Sequence, residues 1–331
     1  MNISIRITRN LQTFAIKPFV HRFGNFTYNR FFNTSVKEIK IPVPWGHVAG
    51  KVWGDSERRR PILALHGWQD NAGTWDTLAP LLCDKIPILA VDFPGHGLSS
   101  WHGPGLQYYP WETVRLILAI KTYYQWDKVT ILGHSMGSIA AIRYSCIFPD
   151  DLDYLIAIDC LFPEEYQIKQ FVDNYPKIIS KLQSILEKPY SDPPLYTYND
   201  IIHKWHEGSN KSISVESIKV LAKRGIQKSL NDPEKYHFSK DGRISYAYYD
   251  FEDKFFLEAL TMRSKCPILF LKAIHSPFST SNTFARLQKT IEESNPKFEK
   301  YLISGTHHVH LDNPDVVIPH IEMFLRKYKL I

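Results

Sequence analysis

The chain predicts an α/β fold: a mostly parallel, twisted sheet flanked by helices, interrupted by a helical insertion. Three observations carry the prediction. Short apolar runs of strand length alternate with helical segments over residues 37–159 and again over 266–331, the pattern of a parallel sheet with crossovers on both faces. Residues 133–137 read Gly-His-Ser-Met-Gly where one such strand passes into a helix. Residues 160–265 break the alternation with a charged, helical pattern studded with aromatics.

Taken in order, Glu38 to Pro44 and Val48 to Trp53 flank Gly46 and predict a β-hairpin. Pro61 to Leu65 is a short buried strand and Thr74 to Leu82 a helix. Ile86 to Val91 is the next strand, and Pro110 to Tyr124 a helix opened by proline in its first turn. Lys128 to Leu132 is a strand, Ile139 to Phe148 a helix and Leu155 to Ile158 a strand. The rhythm resumes with a strand at Pro267 to Leu271, the last strand at Lys300 to Ile303 and a final helix at Pro314 to Lys327. Residues 160–265 follow the carboxyl end of a strand, where sites of open α/β sheets lie, so they are expected to form a cap. Its aromatics include Phe162, Tyr166, Phe171, Tyr175, Trp205, Tyr246, Tyr248 and Tyr249, and most of them are expected to form the cap's own core.

Composition sets outer bounds. A chain of 331 residues with 44% hydrophobic and 14% aromatic content can bury a sizeable core and an apolar pocket. No apolar run approaches the ~18 residues that cross a bilayer, so the chain reads as soluble. The net charge of +6 is not spread evenly. Residues 1–37 hold Arg6, Arg9, Lys17, Arg22, Arg30 and Lys37 and no acid, leaving 34 basic against 34 acidic residues elsewhere. A neutral body argues against a nucleic-acid surface. The leader, residues 1–36, is Arg-rich, acid-free and rich in Asn, Ser, Thr and Phe, as mitochondrial transit peptides are; cytoplasmic and peroxisomal locations are the alternatives. Cys83, Cys146, Cys160 and Cys266 are far apart without paired spacing and read as buried free thiols.

Gly133-His134-Ser135-Met136-Gly137 matches G-x-S-x-G, the nucleophile elbow. The serine must occupy a strained strand-to-helix turn, and side chains at 133 and 137 would collide across it. Two further loops complete an acyl-transfer constellation. His66-Gly67-Trp68 can aim a backbone N–H, that of Trp68, at a developing oxyanion, and the N–H of Met136 is the second donor. His66 and His96 read as loop-fixing residues. Gly305-Thr306-His307-His308-Val309-His310 follows the last strand and offers a general base from the same sheet edge, His307 being preferred. No partner cysteine or carboxylate cluster shows the spacing of a tetrahedral ligand set around these three histidines, so no metal is expected.

The segments H-G-W, D-F-P-G-H-G-L-S, G-H-S-M-G and G-T-H-H-V-H-L-D-N-P, in that order, resemble the α/β-hydrolase superfamily over residues 37–331. Leu221 to Ile226, and Asp241-Gly242-Arg243 to Asp250, resemble the serine hydrolase-like proteins, the group that includes the insect kraken-type hydrolases. The resemblance implies that His307, which opens H-x-V-H-L-x-x-P, is the base. It also implies an acid in the loop after Pro267 to Leu271, yet residues 272–280 contain no carboxylate. Asp159 stands at the end of the preceding strand, from which some members take the acid; otherwise the site is a dyad or a weakened triad. Serine at 135 speaks against the dehalogenase and epoxide hydrolase chemistries, which use aspartate there. The expected function is cleavage of a carboxylic ester or related acyl substrate, apolar or aromatic, without a cofactor. A thioesterase, a C–C hydrolase or a non-catalytic ligand-binding protein would use the same framework, and the oligomeric state is open.

Mass spectrometry of the mature protein from its native cell is expected to find an amino terminus downstream of Met1. An intact Met1 would count against import.

Overall fold

A computed structural model describes residues 36–163, 168–187, 193–246 and 253–331. The basic segment read as a targeting leader lies outside them up to residue 35, as do Tyr166, Tyr248 and Tyr249. The first strands, β1 (Val36–Val43) and β2 (Gly46–Trp53), form the hairpin. Its turn is Pro44-Trp45, and Gly46 opens β2 at a φ of 133°, where a Cβ would strike Ser100. Next comes β3 (Ile62–Leu65) and a 3-10 turn over Ala72–Trp75, followed by the four-residue α1 (Ala79–Leu82). One continuous helix over 74–82 does not form. Pro80 has no N–H for the Asp76 carbonyl, and Asp76 instead closes the 3-10 turn onto Gly73.

β4 (Ile88–Val91) is followed by α2 (Glu112–Tyr123), which begins past Pro110; the Pro110 carbonyl accepts from the Thr113 hydroxyl at 2.6 Å. β5 (Val129–His134) leads into α3 (Met136–Ile147), and β6 (Leu152–Ile158) follows. α3 starts three residues earlier than its apolar pattern suggests, because the helix begins directly after Ser135. Beyond β6 lie α4 (Ile168–Leu186), α5 (Tyr198–Gly208), α6 (Val215–Gly225), a ribbon of β7 (Ile226–Lys228) and β8 (Tyr236–Phe238), a 3-10 turn at Gly242–Tyr246, and α7 (Lys254–Thr261). The core then continues with β9 (Ile268–Ala273), α8 (Asn282–Ser294), β10 (Phe298–Ile303), α9 (Val309–Asp312) and α10 (Pro314–Lys327).

Eight strands form one sheet in the order β1-β2-β4-β3-β5-β6-β9-β10, parallel from β4 to β10 and antiparallel at the β1 and β2 edge. β3, β4, β5 and β9 are buried throughout, which is why they read as continuous apolar runs. One apolar cluster, with Ile117, Tyr144 and Phe270, covers one face, and another, with Trp75, Leu271 and Phe324, covers the other. Among the described residues no helix is long and apolar enough to cross a membrane. All four cysteines are buried free thiols.

Every parallel strand ends at the same edge, and the described residues of the 160–265 segment dock there through buried charge. Arg224 at the end of α6 donates Nε to Asp92 Oδ2 at 2.7 Å and Nη1 to Glu38 Oε2 at 2.6 Å. Asp92, fully buried after β4, also accepts the N–H groups of Ala72 and Leu98. Asp241 accepts from the Tyr108 hydroxyl at 2.8 Å and holds Arg243, whose guanidinium also donates to the carbonyls of His102, Gly103 and Leu106. Thr306 bonds the Ser212 carbonyl and Ser212 meets His308 Nδ1, so the loop after β10 is gripped as well. A buried ion pair adds little net stability over an apolar pair, but removing one partner leaves an uncompensated charge.

Arg224→Leu is therefore expected to destabilise the protein by about 3–5 kcal/mol in urea denaturation, with part recovered in Arg224→Leu/Asp92→Asn. A loss below ~1 kcal/mol, or no recovery in the double variant, would show that the pair does not control docking.

Candidate active site

Ser135 sits between β5 and α3 at φ 51° and ψ −116°, a conformation that few residues other than glycine adopt. Its neighbours hold it there. A Cβ at Gly137 would lie 2.1 Å from the Leu65 carbonyl oxygen, and one at Gly133 would lie 2.5 Å from the Ser138 nitrogen. The Ser135 N–H donates to the Ile158 carbonyl at 3.1 Å, and its own carbonyl accepts from Ser138 and Ile139. Met136 is the first residue of α3, so its N–H has no acceptor within the helix.

The loop after β3 lies against this turn. A Cβ on Gly67 would approach His134 Nδ1 to 2.9 Å and Ser135 Cβ to 3.3 Å, so the backbone leading to Trp68 passes beside the serine. Trp68 anchors its indole Nε1 to the Ile244 carbonyl at 3.1 Å while leaving nearly half its surface exposed. Gln69 takes a φ of 59°, and its N–H donates to His96 Nε2 at 3.2 Å. His96 Nδ1 donates to the Pro94 carbonyl; His66 donates to Gly67 and accepts from the Phe93 N–H at 3.0 Å. Both rings are loop fasteners, and burial pushes both well below the ordinary histidine range.

Asp159 is the residue for which the sequence offered only a position. It follows β6 at φ 64°, fully buried, with its N–H on the Leu271 carbonyl and its carbonyl on the Ser279 hydroxyl. His307 Nδ1 donates to Asp159 Oδ2 at 2.5 Å, which leaves Nε2 of His307 without that proton. Oδ1 accepts from the Ala273 N–H at 3.0 Å and from Lys272 Nζ at 2.9 Å. Burial alone would push the carboxyl up, but the bond and charge of His307, with Ser276 and Lys272, hold it below the ordinary carboxylate value. The end of β9, where no carboxylate stands, thus supplies donors for the one that follows the adjacent strand β6.

His307 and Ser135 come from β10 and β5, which are not adjacent in the sheet. They are joined through His134, whose Nε2 donates to the His307 carbonyl at 2.9 Å and whose ring centroid is 4.6 Å from that of His307. Phe278 lies 4.4 Å from the His307 ring on its other side.

The histidines form a larger cluster than their spacing implied. One donor atom each from Asp70, His134 and His310 lies within 4.8 Å of the others, and the same holds for His134 with His307 and His308, and for Asp159 with Cys160 and His307. Sequence spacing had offered no ligand partners; the fold brings them in from the loops after β3 and β6. Any of these sets could supply three metal donors, although the third is already committed to the Asp159–His307 bond. Burial keeps His134, His308 and His310 neutral, with His310 lowered to about 3.

The fold and these loops match known proteins. The family of the alpha/beta hydrolase fold matches residues 60–314. The chain is 36% identical over 297 residues to a probable serine hydrolase of Drosophila melanogaster, covering 88% of each. It is 30% identical over 306 residues to serine hydrolase-like protein 2 of Homo sapiens, covering 88% of this chain and 94% of that one. Among solved structures, a hypothetical protein of Pseudomonas aeruginosa is 25% identical with a TM-score of 0.76, covering 88% of this chain and 99% of that one.

Burial pushes the Asp70 carboxyl up to about 7, above the value of an unfolded aspartate. The folded state thus holds this proton more tightly, and the stability it contributes at pH 4 is lost as pH rises through 7. Relative to Asp70→Asn, the wild type is expected to lose on the order of 4 kcal/mol between pH 4 and 8 in denaturation titrations. Parallel stability curves would place Asp70 in the ordinary range.

Proposed function

The chain belongs to the α/β-hydrolase fold family, among the serine hydrolase-like proteins, and from that premise we propose that it hydrolyses a carboxylic ester or related acyl substrate through an acyl-enzyme on Ser135. The observation that carries this reading is the 2.5 Å bond from His307 to the buried Asp159 carboxylate, with the His307 carbonyl bonded to His134, the residue before the strained serine.

In the first half-reaction Ser135 Oγ attacks the acyl carbon and His307 Nε2 takes the hydroxyl proton. The carbonyl oxygen becomes an oxyanion facing the N–H groups of Trp68 and Met136, where one donor is typically worth a few kcal/mol. Asp159 stays ionised, fixes the tautomer of His307 and stabilises the imidazolium. His307 returns the proton to the leaving group as the tetrahedral intermediate collapses. In the second half-reaction His307 takes a proton from water, the hydroxide adds to the acyl carbon, and His307 returns the proton to Ser135 Oγ as the acyl–oxygen bond breaks. The sum is ester plus water to acid plus alcohol.

The 160–265 segment acts in this reading as a cap over the site edge, as its bonds to the loops after β3, β4 and β10 support. Trp68 and Phe278, both partly exposed beside the reacting groups, favour an apolar or aromatic acyl chain.

A fluorophosphonate probe is expected to label the wild type. Ser135→Ala should abolish labelling, and His307→Ala and Asp159→Asn should slow it by roughly 10³-fold or more. A folded wild type that fails to label would overturn acyl-enzyme chemistry and leave ligand binding as the role of the fold.

A further inference from the structure

Lys272 is the penultimate residue of β9 and is nearly buried, at 8% exposure, yet no step of acyl transfer calls for a cation there. Its three ammonium protons have three acceptors: Asp159 Oδ1 at 2.9 Å, the Ala273 carbonyl at 2.8 Å and the Ser276 carbonyl at 3.3 Å. The stem is thereby fixed between the carboxylate and the turn after β9.

The resting state explains why a cation belongs here. Asp159 must be a carboxylate to orient His307, but the imidazole that faces it is neutral until it takes the serine proton. A fully buried carboxylate with only a neutral partner is strongly disfavoured. Lys272 supplies the missing charge throughout the cycle, and with the Ala273 N–H it occupies Oδ1 so that Oδ2 is turned to His307. We propose that Lys272 is a positioning residue that acts through Asp159: it keeps the acid ionised while His307 is neutral and limits how tightly the Asp159–His307 pair holds a proton. This assignment rests on the reading of Ser135, His307 and Asp159 as a triad.

The other ionisable groups around the pair do not take this role. Cys160 adjoins Asp159 within the same 4.8 Å set as His307. His134, His308 and His310 surround His307 and are kept neutral by burial. Lys300 on β10 faces Lys272 as a like charge rather than as a partner of Asp159. Among the described residues Lys272 is the only cation bonded to the Asp159 carboxylate. The substitution of place is specific. The strand that lacks the acid carries the counter-ion for the acid on its neighbour, with β6 and β9 paired in register up to Ile158 and Leu271.

The test compares full-length wild type, Lys272→Met and Lys272→Gln, the last retaining an amide donor for the Ala273 and Ser276 carbonyls, with folding checked by circular dichroism. Two quantities are read: the rate of fluorophosphonate labelling between pH 5 and 9, and the titration of the His307 ring followed by nitrogen-15 NMR. Removing the cation lets the pair keep its proton to higher pH. Labelling at pH 7 should fall roughly tenfold or more, and both the acidic limb and the ring titration should move up by on the order of half a pH unit or more. An unmoved ring titration in the folded variants overturns the proposal, as does loss of the folded state in both, which would make Lys272 purely structural. The NMR reading does not depend on catalysis, so a wild type that fails to label would sink the hydrolase reading while the assignment to Lys272 is still decided.

Discussion

The hydrogen bond from the Ser135 N–H to the Ile158 carbonyl sets the level of everything at this site. It joins the ends of β5 and β6 so that the next residue of each strand leaves the sheet at the same height. Both departing residues, Ser135 and Asp159, take a positive φ, 51° and 64°, at a cost of order 1–3 kcal/mol each. The surroundings hold them there. The Ile158 N–H donates to Ser138 Oγ at 3.2 Å, and the Ser279 hydroxyl donates to the Asp159 carbonyl at 2.8 Å. Without a Cβ at Gly137, α3 can start against the Leu65 carbonyl, and this close approach keeps the turn from relaxing.

Around that fixed point the electrostatics divide into two zones. The imidazoles of His134, His308 and His310 are buried and neutral, so they pack and hydrogen-bond without adding charge next to the base. Asp159 is the exception, a buried carboxylate held below its ordinary value by His307, Ser276 and Lys272 together. A low effective dielectric makes each of these terms stronger than it would be in water, which is why one misplaced partner would be felt at His307.

The segment between β6 and β9 is tied to the site loops rather than merely resting on them. Arg224 bonds the same Asp92 that organises the loop after β4, and Asp241 and Arg243 grip Tyr108 and the carbonyls of 102–106. Lys240 reaches Gln69, the strained residue after Trp68. Charge pairs of this kind specify a docking geometry more than they stabilise it. The loop that carries Trp68 is therefore shaped from both sides, by the sheet and by the insertion.

Much of this was legible in the sequence because it is local. The glycines at 133 and 137, the buried strand runs and the order of the loops are short-range signals, and they determined the fold class, the elbow and the candidacy of His307. Helix limits near Pro80 and Pro110 were less legible, since backbone hydrogen bonds rather than apolar period decide them. For the partner of His307 the sequence offered Asp159 only as a candidate, from its place at a strand end, and did not decide it. Asp159 precedes His307 by 148 positions and Lys272 follows Asp159 by 113, and no local pattern ties the three together. Only the order of β5, β6, β9 and β10 in the sheet brings a carboxylate, its counter-ion and a base to one point, because parallel pairing aligns the carboxyl ends of strands that are remote in the chain.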